Sequence, residues 1–272
     1  MFTDVVALYG VPRSGTSWLG QILDSCPETV FRFQPLFSYR FKNRITTETT
    51  KEEIKNFFEE LYLENKDDFL NQTDKRENGI YPLFHMKQEN ASILAYKEVR
   101  YLYTIPLLLQ KYREIKIIGI IRNPYDVLES WINAPSEYNP EWNIYEEWNF
   151  AASKNEYRPE NYFGYNKWKE FIKMCFDMQK RYPQNFEMVR YEDLESDACY
   201  VAKKIYAFAK MPFTEQTKEF IRLSQSKTVE SSYGVYRKKN QERKRKYYLP
   251  SDIRNKIAMD LTDFSEAKKL GY

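Results

Sequence analysis

A loop rich in glycine and hydroxyl side chains follows the first apolar run of the sequence. The run VVALY covers residues 5–9, and the loop G-V-P-R-S-G-T-S-W covers residues 10–18. A helix that begins in such a loop presents unpaired backbone N–H groups and the positive end of its dipole to a ligand. Gly15 allows the backbone to approach closely, and Thr16 and Ser17 add hydroxyl donors. These features predict an anion site suited to a phosphate group.

The spacing of this loop is similar to the nucleotide-binding P-loop, G-x-x-x-x-G-K-[ST]. Gly10, Gly15 and Ser17 occupy matching positions, but Thr16 stands where the P-loop has its lysine. The cation lies earlier, at Arg13. This departure argues against a Mg²⁺-dependent kinase or NTPase, which stays an alternative function. A capped turn without a ligand is the structural alternative.

A second motif, I-I-R-N-P-Y-D-V-L-E-S-W, covers residues 120–131. Its Arg122 directly follows the apolar run at 115–121, so it lies at the carboxyl end of a predicted strand, where open α/β sheets bind ligands. A guanidinium there can hold a phosphate through two parallel hydrogen bonds. Ser130 lies two turns into the following helix. The alternative is an ion pair between Arg122 and Asp126, with an exposed serine.

Short apolar runs and helical periodicity give the order of the elements. The predicted strands are residues 5–9, 92–96, 115–121 and 186–189. Apolar side chains at helical spacing predict helices after each phosphate motif and around residues 165–175 and 201–208. Asn123 is the expected cap of the helix in the second motif, and Pro124 its first residue. Strands separated by helices predict an α/β fold with a parallel sheet covered on both faces.

The two motifs together resemble those of sulfotransferases that use 3′-phosphoadenosine 5′-phosphosulfate (PAPS). The segment P-R-S-G-T-S-W is similar to the family's 5′-phosphosulfate loop, P-[KR]-[ST]-G-[TS]-[TS]-[WFL], and R-N-P-Y-D-V-L-E-S to its 3′-phosphate motif, R-[ND]-P-x-D-x-x-x-S. The resemblance implies a three-layer α/β sandwich with a central parallel sheet, PAPS as cofactor, PAP as product and no metal. It implies that Arg122 and Ser130 hold the 3′-phosphate, and that Arg13 meets the negative charge on the bridging oxygen. The other residues implied on the 5′ side are Ser14, Gly15, Thr16, Ser17 and Trp18.

Two weaker matches extend the resemblance toward the C-terminus. In V-R-Y-E-D-L, Tyr191 matches the family's tyrosine near the adenine. Residues 236–247 occupy the place of a loop that folds over the 3′-phosphate in cytosolic members, and Arg237 and Lys238 match it. The glycine and the tryptophan of that loop are missing here. The charged run has no apolar face, which predicts a mobile basic lid over residues 228–246.

The acceptor must lose a proton, and the motifs leave open which residue takes it. Cytosolic members use a histidine in a K-x-H segment, whereas this sequence has Lys97 in K-E-V-R, closer to the carbohydrate-type members. Those members often place a glutamate where this chain has Gln34. Glu98 is then the nearest titratable candidate for the general base, and His85 is the other. Lys97 is expected to contact the sulfate or the acceptor.

The resemblance implies transfer of a sulfuryl group to a hydroxyl or amine. Arg13 and the K-E-V-R segment favour a carbohydrate acceptor, with a small phenolic or lipid acceptor as the alternative. We expect a single domain over residues 1–272, with an insertion at 31–90 that shapes the acceptor pocket. The sequence leaves the oligomeric state open.

Charge and composition limit which other classes of protein the chain could belong to. Residues 237–246 carry a local charge of +6, so the rest of the 272-residue chain carries −3, unlike a nucleic-acid-binding surface. A nucleic-acid or membrane patch at this run is the non-enzymatic alternative. No apolar run approaches the roughly 20 residues of a membrane-spanning helix, and no signal-peptide pattern is present. The three cysteines are widely spaced, so we expect no disulfide framework, no structural zinc site and a cytoplasmic location.

Overall fold

One five-stranded parallel sheet organises the chain in the computed structural model, which describes residues 2–238 and 245–272. The strands are β1 (Asp4–Tyr9), β2 (Thr29–Phe33), β3 (Ile93–Glu98), β4 (Ile115–Ile121) and β5 (Phe186–Arg190). Their order in the sheet is β2-β3-β1-β4-β5, and all four pairings are parallel. The α/β class and the parallel sheet are therefore confirmed. The four predicted strands are present, with ends within two residues of the prediction.

β2 was not among the predicted strands, because Arg32 interrupts its apolar pattern. In the folded chain Arg32 is only 7 % exposed. Its Nε donates to the backbone oxygen of Leu61 at 3.1 Å, and its Nη2 donates to that of Tyr62 at 3.2 Å. Burial lowers its pKa to about 10. Residues 31–33 of the expected insertion thus belong to the central sheet.

Helices connect the strands and cover both faces of the sheet. They are α1 (Thr16–Asp24), α2 (Lys51–Leu63), α3 (Asp68–Asn71), α4 (Thr73–Glu77), α5 (Thr104–Lys111), α6 (Pro124–Ile132), α7 (Ile144–Phe150), α8 (Ala152–Asn155), α9 (Tyr165–Arg181), α10 (Tyr191–Ser196), α11 (Ala198–Ala209), α12 (Glu215–Ser226), α13 (Ser251–Asp263) and α14 (Ser265–Lys269). Within the two described ranges, no helix has the length and apolar character to cross a membrane. The same ranges contain no group of three or more His, Cys, Asp or Glu side chains that could hold a metal ion.

The central strand β1 explains the three layers. Val5, Ala7 and Tyr9 belong to a core that includes side chains of α2, α5, α9 and α13. Val6 and Leu8 belong to a second core with α1, α11 and α12. Alternate side chains of a strand point to opposite faces of the sheet. A strand that is apolar at every position must therefore be covered twice.

The strand register brings the carboxyl ends of the strands to one edge. Tyr9 at the end of β1 is level with Glu98 on β3 and with Gly119 on β4. Phe33 at the end of β2 is level with Lys97. The loops that follow these strands, including both phosphate motifs, consequently open on the same side of the molecule.

Candidate functional site

The loop between β1 and α1 has the backbone of an anion cradle. Gly15 has a φ of 91°, and a Cβ atom there would lie 2.4 Å from the ring of Tyr191, so only glycine fits. Arg13 also has a positive φ, of 74°. Helix α1 begins without a side-chain cap and without an acidic residue in its first turn. Its N-terminal N–H groups and its dipole are therefore left for an anion.

Lys97 organises the hydroxyl groups of this loop from the end of β3. Its Nζ donates to Ser17 Oγ at 3.0 Å and to Thr16 Oγ1 at 3.3 Å. The same atom lies 4.3 Å from the centre of the Phe33 ring. Lys97 is only 3 % exposed. Burial, helped by the charge of Lys75, lowers the pKa of Lys97 to about 7.

Arg122 lies at the carboxyl end of β4, as its motif predicts, and it is buried. Its Nη1 donates to the backbone oxygen of Arg13 at 3.0 Å, which ties the two motifs together. Its guanidinium lies 4.4 Å from the centre of the Tyr191 ring. Asp126 forms an ion pair with it, with 3.5 Å between Oδ2 and Nη2, but Asp126 also pairs with Arg245. The Nε and Nη2 groups of Arg122 have no hydrogen-bond partner among the described residues.

Arg13 and Ser130 contact each other across the two motifs. Arg13 Nε donates to Ser130 Oγ at 3.0 Å, and its Nη2 donates to the backbone oxygen of Ser232 at 2.7 Å. The guanidinium lies 5.2 Å from the centre of the Tyr233 ring. Its Nη1 is 3.7 Å from Glu137 Oε2. The side chain implied for the bridging oxygen and one implied for the 3′-phosphate thus form one hydrogen-bonded group.

Tyr191 begins α10 and packs between the two motifs. Its ring closes over Gly15 and meets the ring of Trp18 edge-on, with 6.2 Å between the centroids. Its hydroxyl donates to Glu195 Oε1 at 3.1 Å. Trp18 Nε1 in turn donates to Ser224 Oγ on α12 at 2.9 Å. One of the two weaker family matches therefore lies in contact with the 5′-phosphosulfate loop.

The described start of the basic segment lies beside Trp18. The backbone N–H of Arg237 donates to the backbone oxygen of Ser224 at 2.7 Å. The backbone N–H of Lys238 donates to Thr228 Oγ1 at 3.2 Å. Both basic side chains are exposed. Residues 239–244 of the expected lid lie outside the described residues, so the lid stays a prediction.

Glu98 and His85, the two expected candidates for the base, lie far apart. Glu98 is fully buried, and its Oε1 accepts a hydrogen bond from the backbone N–H of Leu36 at 2.7 Å. Burial raises the pKa of Glu98 well above its usual range. His85 is exposed, and the nearby Lys87 donates to the backbone oxygen of Thr29, at the opposite edge of the sheet. His85 is therefore not brought to the edge where the motifs meet.

Four charged residues of this site were not anticipated from the sequence. Glu137 lies between α6 and α7, Lys75 on α4, Arg100 just after β3 and Lys154 on α8. They come from four separate segments, and their positions in the sequence follow no motif or regular spacing. Only the strand order brings them near one another, so no local signal could have found them.

Comparison with known proteins identifies one family. A family model described as the sulfotransferase family matches residues 6–215, which include both phosphate motifs. A search of curated proteins found no match. The sulfotransferase from Alicyclobacillus acidocaldarius aligns at 13 % identity and a TM-score of 0.53, over 99 % of this chain and 96 % of that one.

Two further solved structures share the fold. Mouse sulfotransferase SULT7A1 complexed with PAP aligns at 17 % identity and a TM-score of 0.57, over 96 % of this chain and 84 % of that one. The sulfotransferase domain from the Synechococcus PCC 7002 olefin synthase aligns at 16 % identity and a TM-score of 0.53, over 100 % of this chain and 95 % of that one. At these identities the likeness shows the architecture alone.

Proposed function

This chain belongs to the sulfotransferase family, and we propose that it transfers a sulfuryl group from PAPS to a hydroxyl or amine of an acceptor. The observation that carries the proposal is the hydrogen bond from Arg122 Nη1 to the backbone oxygen of Arg13, which joins two anion-binding motifs at one sheet edge. A carbohydrate is the proposed acceptor class, because Arg13 and the K-E-V-R segment resemble the carbohydrate-type members. A small phenolic or lipid acceptor is the alternative.

The residues at this edge fit PAPS. Arg122 Nε and the hydroxyl of Ser14 are buried without a hydrogen-bond partner among the described residues. A buried polar group left unpaired costs about 1–3 kcal/mol, and a bound phosphate would satisfy it. PAPS supplies the sulfuryl group on its 5′-phosphate when bound. We assign the 3′-phosphate to Arg122 and Ser130, with Arg237 and Lys238 nearby, and the adenine side to Tyr191 and Trp18.

Two cations supply the positive charge on the 5′ side. We assign Arg13 to the charge that develops during transfer, because it belongs to the loop itself and its guanidinium is only partly buried. We assign Lys97 to the sulfuryl oxygens, because it already reaches the hydroxyls of Thr16 and Ser17. Burial leaves Lys97 partly neutral near pH 7. An anion beside it favours the charged form, so binding restores the proton.

The acceptor proton requires a base that the acceptor can reach. Glu98 is fully buried, and burial raises its pKa well above its usual range, which disfavours the ionised form that a base needs. Glu137 is half-buried, and its carboxylate lies 3.7 Å from the guanidinium of Arg13. We therefore assign the general base to Glu137. Glu98 remains the alternative, and His85 lies at the opposite sheet edge.

Thermal shift with PAP and AMP tests the proposed function. PAP differs from AMP by the 3′-phosphate, so saturating PAP should raise the Tm far more than AMP does. The PAP shift should persist in EDTA. Arg122→Gln should remove most of the difference, whereas the control Arg181→Gln, at the exposed end of α9, should keep it. Equal shifts for PAP and AMP, or a PAP shift that needs Mg²⁺, would contradict the proposal. Transfer from labelled PAPS to a panel of glycans, phenols and lipids decides the acceptor class.

A further inference from the structure

A group of cations lies on the acceptor side of the sheet edge, beyond the residues assigned to PAPS. Lys75, Arg100 and Lys154 are all half-buried. Two of them donate to neutral side chains: Lys75 Nζ donates to Gln72 Oε1 at 2.6 Å, and Arg100 donates to Asn161 Oδ1. In the described part of the chain, no carboxylate lies within ion-pair distance of these three cations.

Aromatic rings connect this group to the 5′ side of the site. The ring of Phe33 lies 4.8 Å from Lys75 Nζ and 4.3 Å from Lys97 Nζ. The ring of Tyr233 lies 5.8 Å from Lys75 Nζ and 5.2 Å from the guanidinium of Arg13. Lys75 is therefore held beside both cations of the 5′ side.

A second ring is shared by the other two cations. The centre of the Phe163 ring is 5.7 Å from the Arg100 guanidinium and 5.3 Å from Lys154 Nζ. Arg100 also lies 4.2 Å from the centre of the half-exposed Phe37 ring. Burial, followed by the charge of Arg100, lowers the pKa of Lys154. Two like charges thus share a partly dehydrated surface.

Several carboxylates lie around this group: Glu137, Glu160 and Glu98 act on Arg100, and Glu137 and Glu156 act on Lys154. The charge of Glu137 partly offsets the effect of burial on the pKa values of Lys75, Lys97, Arg100 and Lys154. Arg13 is its ion-pair partner. Glu156 is paired with Arg158, so among the described residues Lys75, Arg100 and Lys154 have no carboxylate as an ion-pair partner.

We infer that the acceptor is an anion, and that its carboxylate or sulfate group binds Arg100 and Lys154. The inference rests on the proposed function and names the substrate class of the same site. Like charges that are held close together without an ion-pair partner raise the free energy of the empty site, and a bound anion relieves that repulsion. The planar guanidinium of Arg100 suits either anionic group. The adjacent rings of Phe37 and Phe163 offer a face to the ring of a sugar or phenol.

Matched acceptor pairs test the inference. The pairs are a glucuronate-containing disaccharide and its methyl ester, an O-sulfated disaccharide and its unsulfated form, and 4-hydroxybenzoate and its methyl ester. With labelled PAPS, the charged member of at least one pair should have about a tenfold or higher kcat/KM. The preferred pair identifies the anionic group. The preference should shrink as NaCl is raised from about 0.05 to 0.5 M, since salt screens partly exposed charges.

Two variants connect the preference to these residues. Arg100→Gln combined with Lys154→Met should raise KM for the charged acceptor about tenfold with little change in kcat, because the anionic group is bound in both ground and transition states. Lys154→Met alone, on the short surface helix α8, covers the case in which the double variant fails to fold. The control Lys116→Met removes a half-buried lysine over the Phe208 ring near the amino edge of the sheet, and it should keep the preference.

The outcomes separate the two proposals. No charged preference in any pair, or a preference that survives the double variant, overturns the anionic acceptor while a normal PAP shift leaves the sulfotransferase assignment standing. A wild-type protein that does not distinguish PAP from AMP overturns both.

Discussion

Replacing Lys97 with methionine should stabilise the free protein and weaken its complex with PAPS. Lys97 is 3 % exposed at the end of β3, and its Nζ donates to the hydroxyls of the phosphate loop. Burial lowers its pKa from 10.5 to about 7. In the unfolded chain the same lysine stays protonated at pH 7. Folding must therefore either bury an ammonium group or remove its proton, and both cost free energy.

The two pKa values give the size of the effect and its direction. Because the folded pKa lies below the unfolded one, the unfolded chain binds more protons between pH 7 and 10, and stability rises with pH over that window. With pKa values of about 7 and 10.5, this one group raises the free energy of unfolding by about 2 kcal/mol between pH 7 and 9. At pH 7 the pKa difference of Lys97 lowers the free energy of unfolding by about 4 kcal/mol, relative to a residue that binds no proton. Methionine removes this destabilisation, but it also loses the contacts of Nζ with the loop hydroxyls and the Phe33 ring, which are worth about 1–3 kcal/mol.

Urea unfolding at pH 7 and pH 9 measures this effect, with the free energy taken by linear extrapolation. The Lys97→Met variant should be more stable than the wild type at pH 7 by about 1–3 kcal/mol, and about 2 kcal/mol of the difference should disappear at pH 9. Phe33→Leu alters the packing beside Lys97 without removing a charge, so it should retain the wild-type pH dependence. If wild type and Lys97→Met show the same change between the two pH values, the reasoning is refuted.

Four other predictions concern the assigned site. Arg122→Ala should weaken PAP affinity by tenfold or more, whereas Arg13→Ala should mainly lower kcat, because charge at the bridging oxygen develops only during transfer; PAP titration and initial rates would reveal exchanged roles as the reverse pattern. Glu137→Gln should lower kcat by about 10²-fold with PAP affinity intact, and a comparable loss confined to Glu98→Gln would move the base there. PAPS affinity should fall as pH rises above 7, because Lys97, whose pKa is about 7, must be protonated beside the anion; calorimetry in two buffers should detect proton uptake, and its absence at pH 8 would contradict this account. Gly15→Ala should destabilise the protein by about 1–3 kcal/mol, since its Cβ would lie 2.4 Å from a ring atom of Tyr191; an unchanged Tm would show that the loop can relax.

Features encoded by consecutive residues could be predicted from the sequence. The loop with Gly15 and its hydroxyls is local, as is the strand that ends at Arg122. The start of α6 is also local: Asn123 Oδ1 accepts a hydrogen bond from the backbone N–H of Tyr125 at 3.0 Å, and Pro124 is the first residue of the helix, as predicted. Such features depend on backbone geometry within a few residues, so residue type and spacing are sufficient evidence. β2 was missed because its buried Arg32 is satisfied by backbone oxygens from distant residues.

The sequence by itself thus determined the fold class, the two phosphate motifs and the sheet edge at which they open. Only the tertiary structure decided how deeply Lys97 and Glu98 are buried and which charged side chains lie around them. Glu98 follows Lys97 directly, but the sequence does not show that both side chains are buried. It also does not show that Arg13 pairs with Glu137. The pKa of a side chain depends on desolvation and on charges from other segments. Those neighbours are fixed by strand order and helix packing, which bring together residues that are far apart in the chain.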